Sequence, residues 1–169
     1  MPHPSAEPPC PDPPDLLRSV FRRHAAGVAV ITAHGDRGPV GFTATSLTSV
    51  AAQPPLISFG IGTRSSSWPA VSRAEYVGVH ILSEHQSDLA ATFARSGTDR
   101  FALPTHWRRG PQGVPVLDDV LAWLVCHIVQ HIPAGDHCIV IAETVSGEAT
   151  GNSRPLLHHQ GRFHTLSDY

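Results

Sequence analysis

Three consecutive serines behind an arginine form the strongest local chemical signal in the sequence. The segment reads Arg64-Ser65-Ser66-Ser67-Trp68-Pro69 and lies between a predicted strand and a short predicted helix. The first backbone N–H groups of a helix lack intrahelical partners and carry about half a positive charge. Hydroxyls and a guanidinium beside them suit a phosphate dianion. The plainer alternative is that one serine caps the helix while the others face water.

A second polar segment precedes the serines along the chain. Residues Thr43–Ser49 place five hydroxyls in seven residues, although a packed strand normally alternates polar and apolar side chains more cleanly. Hydroxyl and backbone groups there suit the polar edge of a heterocycle or a polyol chain. A threonine-rich edge strand is the structural alternative.

The charged residues exclude several classes of site. All 12 basic residues are arginine, so a P-loop lysine, a Schiff base and a lysine general base are absent. The net charge of -2 and the isolated pairs Arg22-Arg23 and Arg108-Arg109 predict no nucleic-acid partner. No apolar run reaches the roughly 18 residues of a membrane span. The sequence also lacks the GxSxG elbow of a serine hydrolase.

Two further site types are disfavoured by local pattern. Gly60–Ser65 follows a strand and precedes a helix, as in dinucleotide-binding folds, but a serine replaces the third glycine and Pro69 keeps the helix short. His127 and His131 could bind one zinc ion from a helix. Their β-branched neighbours instead predict a strand, which would separate them by about 13 Å. The sequence therefore predicts no metal site.

The elements that position these groups are mostly strands. Seven of the 16 prolines lie in residues 1–14, which predicts a disordered or extended tail before a single domain over residues 15–169. Predicted strands cover residues 27–33, 40–50, 55–62, 76–82, 121–132, 138–145, 155–158 and 163–166. Predicted helices begin behind Asp15, near Ser66 and at Ser83.

The later strands indicate the fold class. The segment Pro133–Asp136 and the turn at Gly161 each join two strands without a helical crossover. Two consecutive hairpins predict a mainly β, α+β fold, with an antiparallel sheet or barrel and peripheral helices. Cys10, Cys126 and Cys138 form no CxxC pair and no signal peptide precedes the domain, which predicts a reduced, cytoplasmic protein.

The order of these segments resembles the flavin reductase-like, FMN-binding split-barrel family, the reductase component of two-component monooxygenases. The resemblance covers roughly residues 17 to 166, and the ordered set is more specific than any one motif. The matching stretches are FRRHAAGVAVITA, GFTATSLTSVAAQPPLISFGI, RSSSWPAV, DLAATFARSGTDRF, LAWLVCHIVQHIPAGDHCIVIAETV and PLLHHQGRF.

The resemblance implies a homodimer of split barrels with FMN or FAD near each subunit interface. NADH or NADPH would be the co-substrate, and a flavin-dependent monooxygenase would receive the reduced flavin. The segment Thr43-Ala44-Thr45-Ser46, with Ser49, would contact the ring edge and ribityl chain. Ser65, Ser66 and Ser67 beside Arg64 would hold the phosphate, with Asp99-Arg100-Phe101 near the phosphate or adenylate.

The same resemblance places His137, in Gly135-Asp136-His137, beside the nicotinamide as the catalytic residue. Hydride transfer from nicotinamide C4 to flavin N5 needs stacked rings about 3–3.5 Å apart and little acid–base chemistry. The expected role of His137 is therefore positioning and charge stabilisation. An exposed turn histidine without a role is the alternative.

Two departures from the family pattern keep a second function open. Thr45 stands where many relatives carry asparagine, and PLLHHQGRF replaces the frequent PLLYHRGRY at His158 and Gln160. The alternative is a split barrel that binds flavin, haem or another metabolite in a biosynthetic tailoring role without NAD(P)H-dependent flavin reduction.

Overall fold

Residues 12–149 and 151–167 are described in the computed structural model of the chain. The first helix and strands are α1 (Pro13–Phe21), β1 (Ala26–Gly27), β2 (Ala29–Gly35), β3 (Gly38–Ala44), β4 (Thr48–Ala52) and β5 (Pro55–Gly62). The middle of the chain forms α2 (Trp68–Val71), β6 (Tyr76–Ile81), α3 (Ser87–Ala94), β7 (Trp107–Arg109) and β8 (Pro115–Leu117). The last strands are β9 (Ala122–Ala134), β10 (His137–Ala149), β11 (Leu157–His159) and β12 (Arg162–His164).

The main sheet has seven antiparallel strands in the order β3-β2-β6-β9-β10-β5-β4. Its two edge strands, β3 and β4, are joined by residues 45–47 alone. Three residues can bridge at most about 14 Å, whereas the edges of a flat seven-stranded sheet lie about 29 Å apart. The sheet must therefore curl until its edges approach, which is the geometry of an open barrel. The predicted antiparallel, mainly β class is confirmed.

Two apolar clusters support the barrel. One fills its interior with side chains that include Ile31, Phe42, Phe59 and Val140. The second packs α3 against the outside of the barrel and includes Phe93, which is fully buried. Phe42 and Ala44 of β3 belong to the first cluster, and Phe93 of the second cluster lies against Gly41, so both faces of β3 are packed. The strand that carries Thr43, the first hydroxyl of the predicted segment, is consequently a rigid support.

Several predicted boundaries are wrong. Helix α1 begins at Pro13 behind Asp12, not behind Asp15, and none of its residues is buried. The predicted strand over residues 40–50 is two strands, because the chain leaves the sheet at Thr45. Helix α3 begins at Ser87 rather than Ser83, although Ser83 N–H donates to Gln86 Oε1 at 3.0 Å, as one half of a capping box does.

Other elements were predicted well or missed completely. Strand β5 has the predicted bounds, Pro55–Gly62. The long hairpin is longer than predicted and turns only at Gly135-Asp136, where Gly135 has a φ of 62°. The β7–β8 hairpin was not predicted. The predicted tail over residues 1–11 lies outside the described residues, and no helix in the described part of the chain is long and apolar enough to cross a membrane.

Candidate active site

Three adjoining cavities follow β3 and the connection after it. We name them the serine cavity, of about 270 Å³, the central cavity, of about 320 Å³, and the arginine cavity, of about 670 Å³. The serine cavity is lined by Pro39–Gly41, Ser66, Ser67 and Thr98–Phe101. The central cavity is lined by Phe42–Ser46, Gly60–Gly62, Ser65 and His137. The arginine cavity is lined by Arg18, Phe21, Arg22, His24, Ala26, Thr45, Ser46, Thr48, His158, Gln160 and Gly161.

Shared residues connect the central and arginine cavities, and consecutive residues place the serine cavity next to the central one, so we call the three together the groove. Gly41 lines the serine cavity, and the next residue, Phe42, lines the central one. Likewise, Ser66 lines the serine cavity and Ser65 lines the central one. Thr45 and Ser46 line both the central and the arginine cavities. The total length along β3 from Val40 to Thr45 is about 16 Å at the usual rise of a strand. A long, thin ligand with a planar end fits such a groove better than a compact one.

Arg100 and Ser67 fix the wall of the serine cavity. Ser67 is fully buried, and its Oγ donates to Gly41 O at 3.0 Å and accepts from Arg100 Nη1 at 3.1 Å. Arg100 also donates to Gly41 O at 2.7 Å and, through Nε, to Arg95 O at 2.9 Å. Partial burial lowers the pKa of Arg100, but a guanidinium stays protonated at neutral pH. The two side chains therefore tie the serine turn and the loop after α3 to β3.

The neighbouring serines differ in how their hydroxyls are used. Ser65 Oγ accepts a hydrogen bond from Ser67 N at 3.3 Å. Ser66 is exposed, and its hydroxyl has no hydrogen-bond partner within residues 12–149 and 151–167. Helix α2 is only four residues long, so its dipole is much weaker than the sequence argument assumed. An anion at the boundary of the serine and central cavities would be held by Ser66 from the first and Ser65 from the second, with Ser67 and Arg100 as support.

Backbone and hydroxyl groups form the central cavity. Ser46 Oγ accepts from Gly60 N at 2.9 Å, which ties the connection between the edge strands to β5. Thr43 Oγ1 donates to Ala90 O at 2.6 Å, so this predicted ligand-binding hydroxyl is already used by the fold. Thr45 is exposed toward the cavity and its hydroxyl is unbonded among the described residues. Because Gly60 has no side chain, Ser46 packs closely against β5: a Cβ on Gly60 would lie 3.5 Å from Ser46 Oγ.

His137 stands at the rim of the central cavity. Its Nδ1 lies 2.7 Å from Asp136 Oδ1, and both side chains are exposed. The hydrogen bond from His137, followed by its positive charge when protonated, lowers the pKa of the Asp136 carboxyl. A Cβ placed on Gly62 would lie 3.6 Å from His137 Nε2, so this nitrogen faces the glycine wall. With Nδ1 oriented by the carboxylate, Nε2 is the atom available to a ligand.

Not all predicted residues lie together. The groove brings together Thr43, Ala44, Thr45, Ser46, Ser65, Ser66, Ser67, Asp99, Arg100, Phe101 and His137. Ser49 and Arg64 are exposed and line none of the three cavities. Ser49 is on the edge strand β4. The positive charge of Arg64 makes a small contribution to lowering the pKa of the Asp136 carboxyl. The structure therefore separates these two from the groups that line the groove.

The arginine cavity was missed by the sequence reasoning. Arg18 and Arg22 come from α1 and its end, whereas His158 and Gln160 come from the last hairpin. The available signal was FRRH, at the end of the first predicted helix, and the HH pair near the chain end. Only the fold joins these two segments, which are more than 130 residues apart in the sequence.

The histidines of β9 occupy structural positions. The His127 ring lies 5.3 Å from the Tyr76 ring, and the His131 ring lies 6.0 Å from that of Trp68, measured between centroids. Both are in a strand, as predicted. In the part of the chain that is described, no group of three or more histidine, cysteine or acidic side chains has metal-binding geometry.

The family profile described as flavin reductase like domain matches residues 21–167. The chain belongs to this flavin reductase-like family. The predicted resemblance is thereby confirmed over nearly the whole domain.

Relatives and solved structures agree with this membership. The chain is 45% identical over 151 residues to an NADH:FMN oxidoreductase of Rhodococcus qingshengii, covering 87% of this chain and 79% of the relative. It is 36% identical to the reductase component of a 4-nitrophenol monooxygenase of Rhodococcus opacus, covering 87% and 78%. A solved NADH:FAD oxidoreductase of Streptomyces globisporus, in complex with NAD and FAD fragments, is 30% identical, with a TM-score of 0.87 and coverage of 96% and 98%.

Proposed function

We propose that this flavin reductase-like protein is an NAD(P)H:flavin oxidoreductase. It transfers hydride from a nicotinamide cofactor to FMN or FAD and supplies the reduced flavin to a partner monooxygenase. The observation that carries the proposal is the groove, in which hydroxyls that are unbonded among the described residues, a glycine-containing cavity and His137 follow one another. Relatives with this domain are an NADH:FMN oxidoreductase and a monooxygenase reductase component.

The protein groups have binding and orienting roles. Ser65 and Ser66 hold the flavin phosphate, while the buried Ser67 and Arg100 keep the serine turn in place. Thr45 and the backbone of the central cavity contact the polar edge of the ring system. The bound nicotinamide and flavin supply the hydride chemistry, so the protein needs neither a nucleophile nor a pair of catalytic carboxylates.

His137 orients the electron donor. Asp136 fixes the imidazole through Nδ1, which directs Nε2 toward the cavity wall at Gly62. From there Nε2 can hydrogen-bond to the nicotinamide carboxamide or, when protonated, stabilise negative charge on the reduced flavin. Both groups are exposed, so they can adjust when a ligand arrives. This is a positioning role, because no proton transfer in the groove requires the imidazole.

A second copy of the chain completes the assembly that we propose. Five exposed apolar side chains on β4, β9 and β10, which we propose form one patch, are each 37–51% accessible: Val50, Val129, Ile132, Ile139 and Val145. Ile139 pairs with Gly60 across β10 and β5, so this patch continues directly into the central cavity. Large exposed apolar patches beside a ligand site are typical of protein interfaces. A two-fold dimer buries the patch and brings two grooves to the interface.

The dimer proposal has a direct test. Replacing Ile139 by glutamate places two like charges in the proposed interface, and we expect the protein to be a monomer by analytical ultracentrifugation. Leu103→Glu, which changes an 83% exposed residue outside this patch, is the matched control and should leave the dimer unchanged. A monomeric parent protein, or a dimer that survives Ile139→Glu, would contradict this interface.

Turnover in a purified system tests the proposed function. The protein is mixed with NADH and excess FMN, and the absorbance at 340 nm is followed against a protein-free control. We expect NADH oxidation far above the control, with FAD and NADPH tested in parallel. Tight binding of flavin, haem or another metabolite without turnover would instead support the binding and tailoring alternative.

The cellular setting follows from the proposed reaction. We place the enzyme in the cytoplasm, where NAD(P)H is produced and thiols remain reduced. Cys126 and Cys138 are buried and unpaired, which suits a reducing compartment. A monooxygenase that consumes reduced flavin is the partner consistent with a diffusible product.

A further inference from the structure

The arginine cavity carries positive charge that the roles assigned above do not use. Two guanidiniums and two imidazoles line it, from Arg18, Arg22, His24 and His158, whereas none of its lining residues is acidic. Arg18 pairs with Asp15 at 3.1 Å, but both of these side chains are largely exposed. The cavity is therefore suited to a ligand that carries more than one negative charge.

The fold holds Arg22 at this position from both sides. Gln160 N–H donates to Arg22 O at 2.9 Å, which fixes the end of α1 against the turn between β11 and β12. A Cβ on Gly161 would lie 3.5 Å from Arg22 Nη2, so the side chain passes over the turn. Gly161 has a φ of 77°, a conformation that favours glycine. Within the described ranges, the Arg22 guanidinium has no hydrogen-bond acceptor.

The arginine cavity also has a defined relation to the central cavity. Thr45 and Ser46 line both, so a ligand can extend from one cavity into the other past two hydroxyl side chains. The serine cavity lies at the opposite end of the groove. Under the proposed function, that opposite end holds the flavin phosphate. The phosphates of the electron donor must therefore leave the central cavity in a different direction.

We propose that Arg22, assisted by Arg18, binds the diphosphate of NAD(P)H while its nicotinamide ring occupies the central cavity. This inference rests on the proposed function. Arginine is suited to the role because its planar fork can donate two hydrogen bonds to phosphate oxygens. The diphosphate of FAD has the same chemistry, so the experiment must distinguish the two dinucleotides.

Two electron donors distinguish an effect on binding of the diphosphate from an effect on binding of the nicotinamide ring. NADH carries the diphosphate, whereas 1-benzyl-1,4-dihydronicotinamide carries the same reactive ring and no phosphate. With saturating FMN as acceptor, we expect Arg22→Ala to raise KM for NADH about tenfold or more, with kcat within twofold. KM for the benzyl compound should remain unchanged, and Arg22→Lys should restore part of the loss for NADH.

Arg23→Ala is the matched control. Arg23 has the same charge and the neighbouring position. It lines an adjacent surface groove with Ser19, Arg22 and Gln160, but it does not line the arginine cavity itself. We expect this variant to leave KM for both donors within twofold. Equal losses for NADH and the benzyl compound in Arg22→Ala would overturn the proposal, as would equal effects of Arg22→Ala and Arg23→Ala on NADH.

The remaining results are also decisive. An Arg22→Ala variant that weakens FAD binding but not the use of NADH would assign the cavity to the flavin dinucleotide and overturn the proposal. If the parent protein oxidises neither donor, the proposed function fails, and titration calorimetry with NAD⁺ then tests the cavity alone. Binding that depends on Arg22 but not on Arg23 supports the diphosphate assignment, whereas equal or absent binding contradicts it.

Discussion

The serine and arginine cavities, at opposite ends of one groove, use their polar side chains differently. In the serine cavity, Ser67 and Arg100 are bonded to each other and to Gly41 O, so the wall is fixed before a ligand binds. In the arginine cavity, the Arg22 guanidinium has no acceptor among the described residues and lies over a turn. A preorganised wall reduces the cost of ordering on binding, whereas free side chains can adapt to a ligand that exchanges.

This difference assigns separate tasks to the two ends. The fixed end suits the compact flavin phosphate, and the adaptable end suits the longer and more flexible diphosphate of the donor. The central cavity between them is walled mainly by backbone, which allows two planar rings to stack. Substitutions at the fixed end should therefore change flavin affinity, and those near the donor should change KM for NADH.

The largest effect is expected from the double substitution Ser65→Ala with Ser66→Ala. Each lost hydrogen bond to a phosphate is worth about 1.5–3 kcal/mol, so FMN binding should weaken by about 100-fold or more. Riboflavin lacks the phosphate, and its affinity should change by less than about threefold. Calorimetric titration of both ligands gives the comparison. An equal loss for FMN and riboflavin would refute the phosphate assignment.

The Arg100→Ala variant tests whether the fixed end is a structural unit. Loss of the bonds to Arg95 O, Gly41 O and Ser67 Oγ should lower the free energy of unfolding by about 3 kcal/mol. FMN affinity should fall together with stability, since Ser67 and the serine turn lose their support. Arg95→Ala is the control, because it retains the backbone carbonyl that accepts from Arg100. Unchanged urea denaturation of Arg100→Ala would contradict this role.

A buried histidine should produce an acid sensitivity that is separate from the groove. His80 is fully buried, its Nδ1 lies 3.0 Å from Val30 O, and its Nε2 has no hydrogen-bond partner among the described residues. Burial lowers its pKa from 6.5 to about 4. The unfolded chain then binds more protons than the folded protein between these values, so stability is complete above about pH 6.5 and falls as the pH approaches 4.

This loss can be measured by substitution. Between pH 7.5 and pH 5, His80 should account for about 2 kcal/mol of lost stability. His80→Asn removes the titrating group, so its free energy of unfolding should depend less on pH over this range. The exposed His85→Asn is the control and should retain the parent slope. If His80→Asn and the parent protein have equal slopes, the acid sensitivity arises elsewhere.

The smallest of these effects is expected for His137, at the rim of the central cavity. His137→Ala should raise KM for NADH about fivefold to tenfold, because one hydrogen bond to the donor is lost. FMN affinity should stay within twofold, since the phosphate end is untouched. Steady-state kinetics with NADH and titration with FMN check the two values. A collapse of flavin binding would remove His137 from the role of orienting the donor.

The sequence predicted those parts of the fold that depend on local pattern. β5 and the β9–β10 pairing follow from continuous β-branched runs around turn residues, and both were identified. The break after Ala44 was missed because Thr45 and Ser46 continue a strand-like pattern while tertiary curvature ends the strand. Leu17 and Phe21 have helical spacing and lie on one side of α1, yet both remain about 60% exposed. Periodicity alone does not reveal what covers a helix.

The candidate site also combines features that local sequence patterns predict with features that depend on long-range contacts. The serine turn and the hydroxyl segment are local strings, and the fold brings them to adjoining cavities as expected. The support that Arg100 gives to Ser67 depends on a contact across 33 residues, and the arginine cavity joins the two ends of the domain. A local sequence pattern does not reveal contacts between residues that lie so far apart along the chain. Ser49 and Arg64 fit the motifs but lie outside the groove, because motif membership does not fix side-chain direction.

A crystal structure of the protein with bound FMN tests the central claim most directly. We predict that the phosphate lies within hydrogen-bond distance of Ser65 and Ser66, with the isoalloxazine ring in the central cavity beside Thr45 and His137. Clear density for FMN at another place, with no ligand at the serine turn, would contradict the assignment of the groove.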